Sequence, residues 1–156
     1  MIRFRFEDPD GIKEKLASFP SRLRVGIVKA LEDAVVQVQR EARINAPVFR
    51  GALRSSIVFL VNDEGDRIKA EVGTGLVYGG VIEEGRSSWP GAQPPVDNLR
   101  AWAARRLGDE TLAFVIARSI KRRGIRAQPF LRPAFQTVQP RISQFLETRL
   151  KQAFEL

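Results

Sequence analysis

Apolar residues occupy every second position at the start of the chain, at Ile2, Phe4 and Phe6, and charged residues stand between them. This period of two predicts a strand that buries one face. A turn is expected over residues 8–11, and a short helix over 12–19.

The longest periodic segment runs from Arg22 to about Asn45. Apolar residues recur there at steps of three and four, and polar residues fill the opposite face; the apolar positions are Leu23, Ile27, Leu31, Ala34, Val35, Val38 and Ala42. This pattern predicts an amphipathic helix of about six turns. Ala46-Pro47 ends it, because the residue before a proline is pushed out of the helical region.

Two further strands are predicted around a polar turn. A helical turn over 52–55 leads into alternating apolar residues over 57–61, and a second alternating run covers 67–72. The residues between them, 62–66, have the chemistry of a hairpin turn. We expect the two strands to pair antiparallel, the N-terminal strand to complete the sheet, and the long helix to cover its apolar face.

The second half of the chain predicts mainly helices. A short helix over 77–84 is weakened by two glycines, and the breaker-rich segment 85–95 is an exposed loop that could act as a mobile contact arm. A helical hairpin follows. Its first helix is capped by Asp97 and ended by Gly108.

The second helix of the hairpin opens at Asp109 or Thr111 and ends at Gly124. Residues 129–133 start a final amphipathic helix that reaches about Phe154 and that Pro140 should kink or split.

The element order indicates an α+β fold. We expect a small antiparallel sheet, made of the N-terminal strand and a β-hairpin, packed against the long N-terminal helix and a C-terminal helix. With 156 residues the chain is predicted to be a single domain, 1–156, in which the loop and helical hairpin of 86–124 are an insertion.

Composition removes most familiar catalytic machinery. The chain has no Cys and no His, which excludes thiol nucleophiles, disulfides, imidazole bases and the common zinc ligands. We therefore expect no enzyme activity, no cofactor and no metal site. The start of the chain has no signal-peptide pattern and no stretch is long and apolar enough for a membrane span, so a soluble protein made in a cytoplasm is expected.

Candidate sites for chemistry are weak. Glu83 and Glu84 are adjacent on a predicted helix and point apart, which disfavours an acid and base pair. The acidic residues of 62–66 depart from calcium-loop spacing and fit a turn better, and the glycines of 73–80 complete no nucleotide-binding motif.

Four short blocks carry a resemblance to a known family. In chain order they are Ala46-Pro47, Gly51-x-Leu53-Arg54-x-Ser56-Ile57, Tyr78-x-x-Val81-Ile82-Glu83-x-Gly85 and Pro129-Phe130-Leu131-x-Pro133-Ala134. As an ordered set they resemble the tail-completion or neck proteins of long-tailed bacteriophages, a family of minor tail components. The chain departs from that family at Arg50, at Gly79 and in the insertion 86–124.

The resemblance implies a non-enzymatic structural protein of the virion, assembled in the host cytoplasm. It implies a ring, often of six subunits, at the head–tail junction, where copies of the chain contact each other, the head connector and tail-tube or tail-terminator proteins. Each block also has a plain structural role as a helix stop, a turn, a helix cap or a helix start.

The charge distribution suggests where partners bind. The net charge is +8, and from Thr111 to Leu146 there is no acidic residue but seven basic ones: Arg118, Lys121, Arg122, Arg123, Arg126, Arg132 and Arg141. Candidate partner-binding residues are the first five of these and Trp89 in the breaker-rich loop. Trp89 could equally fold back onto the domain.

Three explanations of the basic cluster stay open, in decreasing order of preference: contact with a neighbouring subunit, a solvated face that opposes the helix dipole, and contact with nucleic acid. Non-specific contact with DNA in a ring channel is compatible with the first. The rival function is accordingly a small basic nucleic-acid-binding protein, and a hydrolase that uses only carboxylates is a third, weaker hypothesis.

Overall fold

The computed structural model describes residues 2–5, 21–48, 50–87 and 94–154. The chain divides into two compact units: Met1–Leu76 with Phe130–Leu156, the outer unit, and Val77–Pro129, the central unit. The central unit contains the whole of the predicted insertion 86–124, while the single domain over 1–156 stays a prediction. The helix predicted over 12–19 lies outside the described residues.

The outer unit contains a three-stranded antiparallel sheet. Strand β3 (Ile68–Thr74) lies in the centre, between β1 (Ile2–Arg5) and β2 (Ile57–Asp63). Val72 pairs with Phe4 on one side and with Phe59 on the other. The predicted hairpin and the pairing of the N-terminal strand are confirmed, and β1 and β2 form the two edges.

Hydrogen bonds to two carboxylates stabilise the turn between β2 and β3. Asp63 accepts a hydrogen bond from the Gly65 amide at 3.0 Å, and this bond, followed by the contact with Arg24, lowers the pKa of the Asp63 carboxyl. Glu64 accepts hydrogen bonds from Arg67 and Lys69 at 2.6 Å each. These carboxylates fix the hairpin turn, as predicted from its sequence.

The long helix α1 (Ser21–Asn45) organises the outer unit. Its buried stripe consists of small and β-branched residues, Ala30, Ala34, Val35, Val38 and Ala42. Small side chains let the sheet and the C-terminal helices approach the helix axis closely. The helix ends before Ala46-Pro47, as predicted, and the short helix α2 (Ala52–Ser55) leads into β2.

The face of the sheet that carries Ile57, Ala70 and Val72 is buried against α1. The Ile57 carbonyl accepts hydrogen bonds from the side chains of Gln39 at 2.7 Å and Arg43 at 3.0 Å, so that α1 also holds the start of β2. The predicted cover of the sheet by the long helix is confirmed.

The C-terminal helices pack on the other elements of the outer unit through a buried entry segment. In the outer unit the chain resumes with Phe130 and Leu131, both fully buried. A helix over Leu131–Val138, a 3-10 turn at Gln139–Arg141 and a helix over Ile142–Phe154 follow, so Pro140 splits the helix as predicted. Arg149 donates two hydrogen bonds to Asp33 of α1, at 2.7 and 3.0 Å.

The described residues of the central unit form three helices: α3 (Gly79–Glu84), α4 (Asp97–Leu107) and α5 (Leu112–Arg123). The two helices of the C-terminal segment are accordingly α6 (Leu131–Val138) and α7 (Ile142–Phe154). Helices α4 and α5 form the predicted helical hairpin, which is closed over the fully buried Ala103, Ala113 and Ala117. The α+β class is confirmed.

One helix start in the central unit differs from the sequence prediction, and another matches one of the two positions that were predicted. Asp97 does not cap α4: the N-cap is Val96, and the Asp97 carboxylate instead accepts a hydrogen bond from Arg100 at 3.1 Å. Helix α5 starts after Thr111, whose amide and hydroxyl donate to Asp109 at 2.8 and 2.6 Å. Asp109 therefore shapes the turn before α5, and of the two predicted start positions the N-cap is Thr111.

A short backbone bridge closes the base of the segment 86–124. The Arg86 amide donates to the Ile125 carbonyl at 2.8 Å, and the Ile125 amide donates to the Arg86 carbonyl at 2.7 Å. Gly85 and Gly124 stand beside this bridge, with φ of 74° and 78° and ψ of −175° and −159°. Only glycine populates this backbone region readily, so both glycines are required by the bridge.

Candidate docking surfaces

Residues of the four resemblance blocks stabilise the fold. Gly51 has a φ of 79°, Leu53 is buried, and the hydroxyl of Ser56 lies 2.7 Å from that of the buried Thr74. In the other blocks, Gly85 caps α3 and Phe130 enters the core of the outer unit. The blocks therefore secure the fold, and function must be sought on the surfaces.

The candidate acidic sites show no catalytic geometry. Glu83 is buried and its neighbour Glu84 is exposed, as expected for adjacent residues that point apart on α3. Among the described residues, no group of Asp and Glu side chains is arranged to hold a metal ion. The same part of the chain contains no helix with the length and apolar character of a membrane span.

The structure places four of the predicted contact residues on one helix. Arg118, Lys121, Arg122 and Arg123 are exposed on α5, and Arg126 is exposed just beyond its end. None of the five has an ion-pair partner in the described ranges. We call this group the basic cluster. Trp89, the sixth predicted contact residue, lies outside the described residues.

The basic cluster borders a shallow groove on the surface of α5. The groove has a volume of about 470 Å³ and is lined by Val115, Arg118, Ser119, Arg122 and Arg123. These positions recur at steps of three and four, so they share one side of the helix. The basic cluster therefore forms one part of a groove whose other end, at Val115, is apolar.

The sequence analysis missed that apolar end. Phe114 and Val115 are 54% and 61% exposed, and Leu112 is also exposed. A signal was available in the run Leu112 to Ile116, because five successive apolar residues cannot all face the buried side of a short helix.

A second missed surface lies on the sheet. Val58 and Leu60 of β2 are 53% and 51% exposed, on the face opposite to Ile57. The run Ile57 to Val61 is apolar at every position, a pattern typical of a strand buried on both faces. Here Val58 and Leu60, on one of those faces, are half exposed, and we call this part of β2 the open sheet face.

The first prediction concerns the basic cluster. We expect Arg122→Glu with Arg123→Glu to leave the free energy of unfolding within about 0.5 kcal/mol of the parent, because both side chains are exposed. We expect it to impair assembly with partner proteins. Thermal unfolding measures the first effect, and co-purification of partner proteins measures the second.

The control for this variant is Arg141→Glu with Lys151→Glu, which changes the net charge equally at exposed positions of the outer unit. If both double variants lost partner proteins to the same extent, total charge, and not the basic cluster, would matter for assembly.

The comparisons with known proteins include a family match. Residues 10–85 match the family model described as "Bacteriophage HK97-gp10, putative tail-component". The matched span includes α1, the hairpin β2–β3 and α3, and three of the four resemblance blocks. A search of curated proteins and a search of solved structures found no match.

Proposed function

From the match of residues 10–85 to the family described as a bacteriophage tail component, we propose that the chain is a non-enzymatic virion protein that forms a homo-oligomeric ring at the head–tail junction. The ring completes the tail or neck and joins the head connector to the tail tube. The family match carries the proposal, and it confirms the predicted resemblance to phage tail proteins over the span that holds three of the four sequence blocks.

The outer unit offers surfaces suited to self-association. Both edge strands, β1 and β2, have one side that is not paired within the sheet. Open strand edges and exposed apolar faces favour pairing with another chain. Contact between different surfaces of successive subunits is heterologous, and it produces a closed ring when the rotation between subunits closes. The open sheet face, with Val58 and Leu60, is the proposed centre of this contact.

The proposal has a direct genetic test in the phage that encodes this chain. Loss of the gene should give filled heads and separate tails, and supplying the protein in trans should restore joined particles. Electron microscopy of the lysates distinguishes these products. Normal joined particles in the absence of the protein would contradict a role at the junction.

The second prediction concerns the ring itself. Val58→Lys with Leu60→Lys should prevent ring formation, because two desolvated ammonium groups would have to be buried in the subunit contact. The folded subunit should persist, since both side chains are already half exposed. Mass photometry of the purified chain measures the subunit number, and circular dichroism measures the melting temperature.

A charge-matched control is Gln136→Lys with Gln139→Lys, two exposed positions on the C-terminal helices. This control should form rings like the parent. If the Val58 and Leu60 variant also formed rings of unchanged size, the open sheet face would not be the subunit contact.

A further inference from the structure

The solvent side of α5 is divided along its length into two chemically different halves. Leu112, Phe114 and Val115 expose apolar surface in the first half, and the basic residues from Arg118 to Arg123 occupy the second. The helix has 12 residues and is therefore about 18 Å long. A partner that covers it meets an apolar patch and, about 9 Å further along, a positively charged one.

The apolar half indicates a protein partner. Protein interfaces have an apolar centre with aromatic residues, and arginine is enriched there as well. Contacts with phosphate groups use cations and hydrogen-bond donors, and they gain nothing from the exposed Phe114 and Val115.

Acidic groups at the start of α5 also disfavour DNA. Asp109 and Glu110 are exposed at this end of the helix. Hydrogen bonds from the Thr111 hydroxyl, and then from its amide, lower the pKa of Asp109, so this carboxylate is charged at neutral pH. A duplex lying along α5 would bring phosphates towards these carboxylates as well as towards the arginines.

A second copy of this chain is poorly suited to bind the exposed side of α5, for electrostatic reasons. Several acidic side chains of the described ranges are already engaged by cations of the same chain; these are Asp33, Asp63, Glu64 and Asp97. The chain carries a net charge of +8, so a second copy offers fewer acidic than basic groups to the cations of α5. Charge complementarity therefore points to a different, acidic chain.

We propose that the exposed side of α5 docks an acidic amphipathic segment of another virion protein, in which apolar side chains cover Phe114 and Val115 and carboxylates pair with Arg118, Arg122 and Arg123. The proposal rests on the proposed function, because it takes the partner from the virion. The open sheet face joins copies of the chain, and α5 joins the ring to its neighbour.

Photo-crosslinking in assembled particles tests the partner's chemistry. A benzophenone side chain replaces Val115, and irradiated particles are digested and analysed by mass spectrometry. The expected crosslink joins position 115 to a segment of a different protein that has apolar residues followed by Asp or Glu. A crosslink to a second copy of this chain, to DNA or to a basic segment would overturn the proposal, as would the lack of any crosslink.

A charge exchange tests the pairing independently. Arg118→Glu with Arg122→Glu should lower particle yield about tenfold or more, the effect of at least about 1.4 kcal/mol of lost binding. Replacing the acidic residues of the crosslinked segment by lysine should restore yield in this variant and lower it in the parent. Failure of the exchange to restore yield would contradict direct pairing of the charges.

The same particles separate this proposal from the proposed function. If mass spectrometry finds the chain in joined particles but position 115 crosslinks elsewhere, only the docking of the acidic segment is wrong. If the chain is missing from the particles, its role in the virion is wrong as well.

Discussion

Gly124→Ala is expected to destabilise the central unit by more than about 3 kcal/mol. A Cβ atom at this position would lie 1.8 Å from the Arg86 carbonyl oxygen and 2.1 Å from that of Ser87. Both are backbone atoms, and Arg86 is held by its bridge to Ile125, so relief of the clash requires the bridge to open. Urea unfolding measures the loss, and hydrogen exchange at the Ile125 amide reports the opening of the bridge.

The matched control is Gly108→Ala at the end of α4. Gly108 also has a positive φ, 76°, but nothing lies within 4 Å of a Cβ atom built there. This substitution should therefore cost only the left-handed backbone strain, about 1–2 kcal/mol. Equal losses for the two variants would show that the bridge yields easily and that steric contact with Arg86 is unimportant.

Elements with long, regular patterns could be predicted from the sequence. The stripe of α1 repeats over seven apolar positions, and the helix ends at the proline that stops it. The hairpin β2–β3 combines an apolar run over 57–61 and an alternating run over 67–72 with a turn of acidic residues and Gly65. In each case several local signals agree, which is the condition under which a sequence specifies local structure.

Helix starts were less predictable, because several residues at one start can cap. At the start of α4, either Val96 or Asp97 could be the N-cap residue. The N-cap is Val96, so the helix begins one residue earlier than it would if Asp97 were the cap. The Leu99 amide bonds the Val96 carbonyl at 2.9 Å, which leaves Asp97 inside the first turn. Helix boundaries are commonly uncertain by one or two residues for this reason.

The backbone bridge between Arg86 and Ile125 had no sequence signal. Gly85 and Gly124 were predicted as helix ends, and both do end helices. Their second role depends on two segments almost forty residues apart meeting in space. Such a pairing is long range, involves one residue on each side, and produces no periodic pattern.

The exposed surfaces of the candidate sites could be predicted only in part. The basic cluster could be located from charge alone, because no acidic residue interrupts it between Thr111 and Leu146. The apolar positions beside it, and Val58 and Leu60 on the open sheet face, could not be distinguished from core residues. An apolar residue in a sequence indicates burial, and only the arrangement of elements shows whether another part of the same chain provides the cover.

Val35→Asp is expected to unfold the outer unit. Val35 is 0% exposed in the buried stripe of α1, so an aspartate there would be an unpaired charge in the core. The loss in free energy of unfolding is about 4 kcal/mol or more, a large part of the 5–15 kcal/mol that stabilises a typical domain.

The neighbouring Val36 is 44% exposed, and Val36→Asp should change the free energy of unfolding by less than about 1 kcal/mol. Denaturation of both variants, followed by circular dichroism, gives the comparison. A cooperatively folded Val35→Asp protein of parental stability would show that α1 does not pack through this stripe, and the open sheet face would then lose the support that α1 gives it from behind.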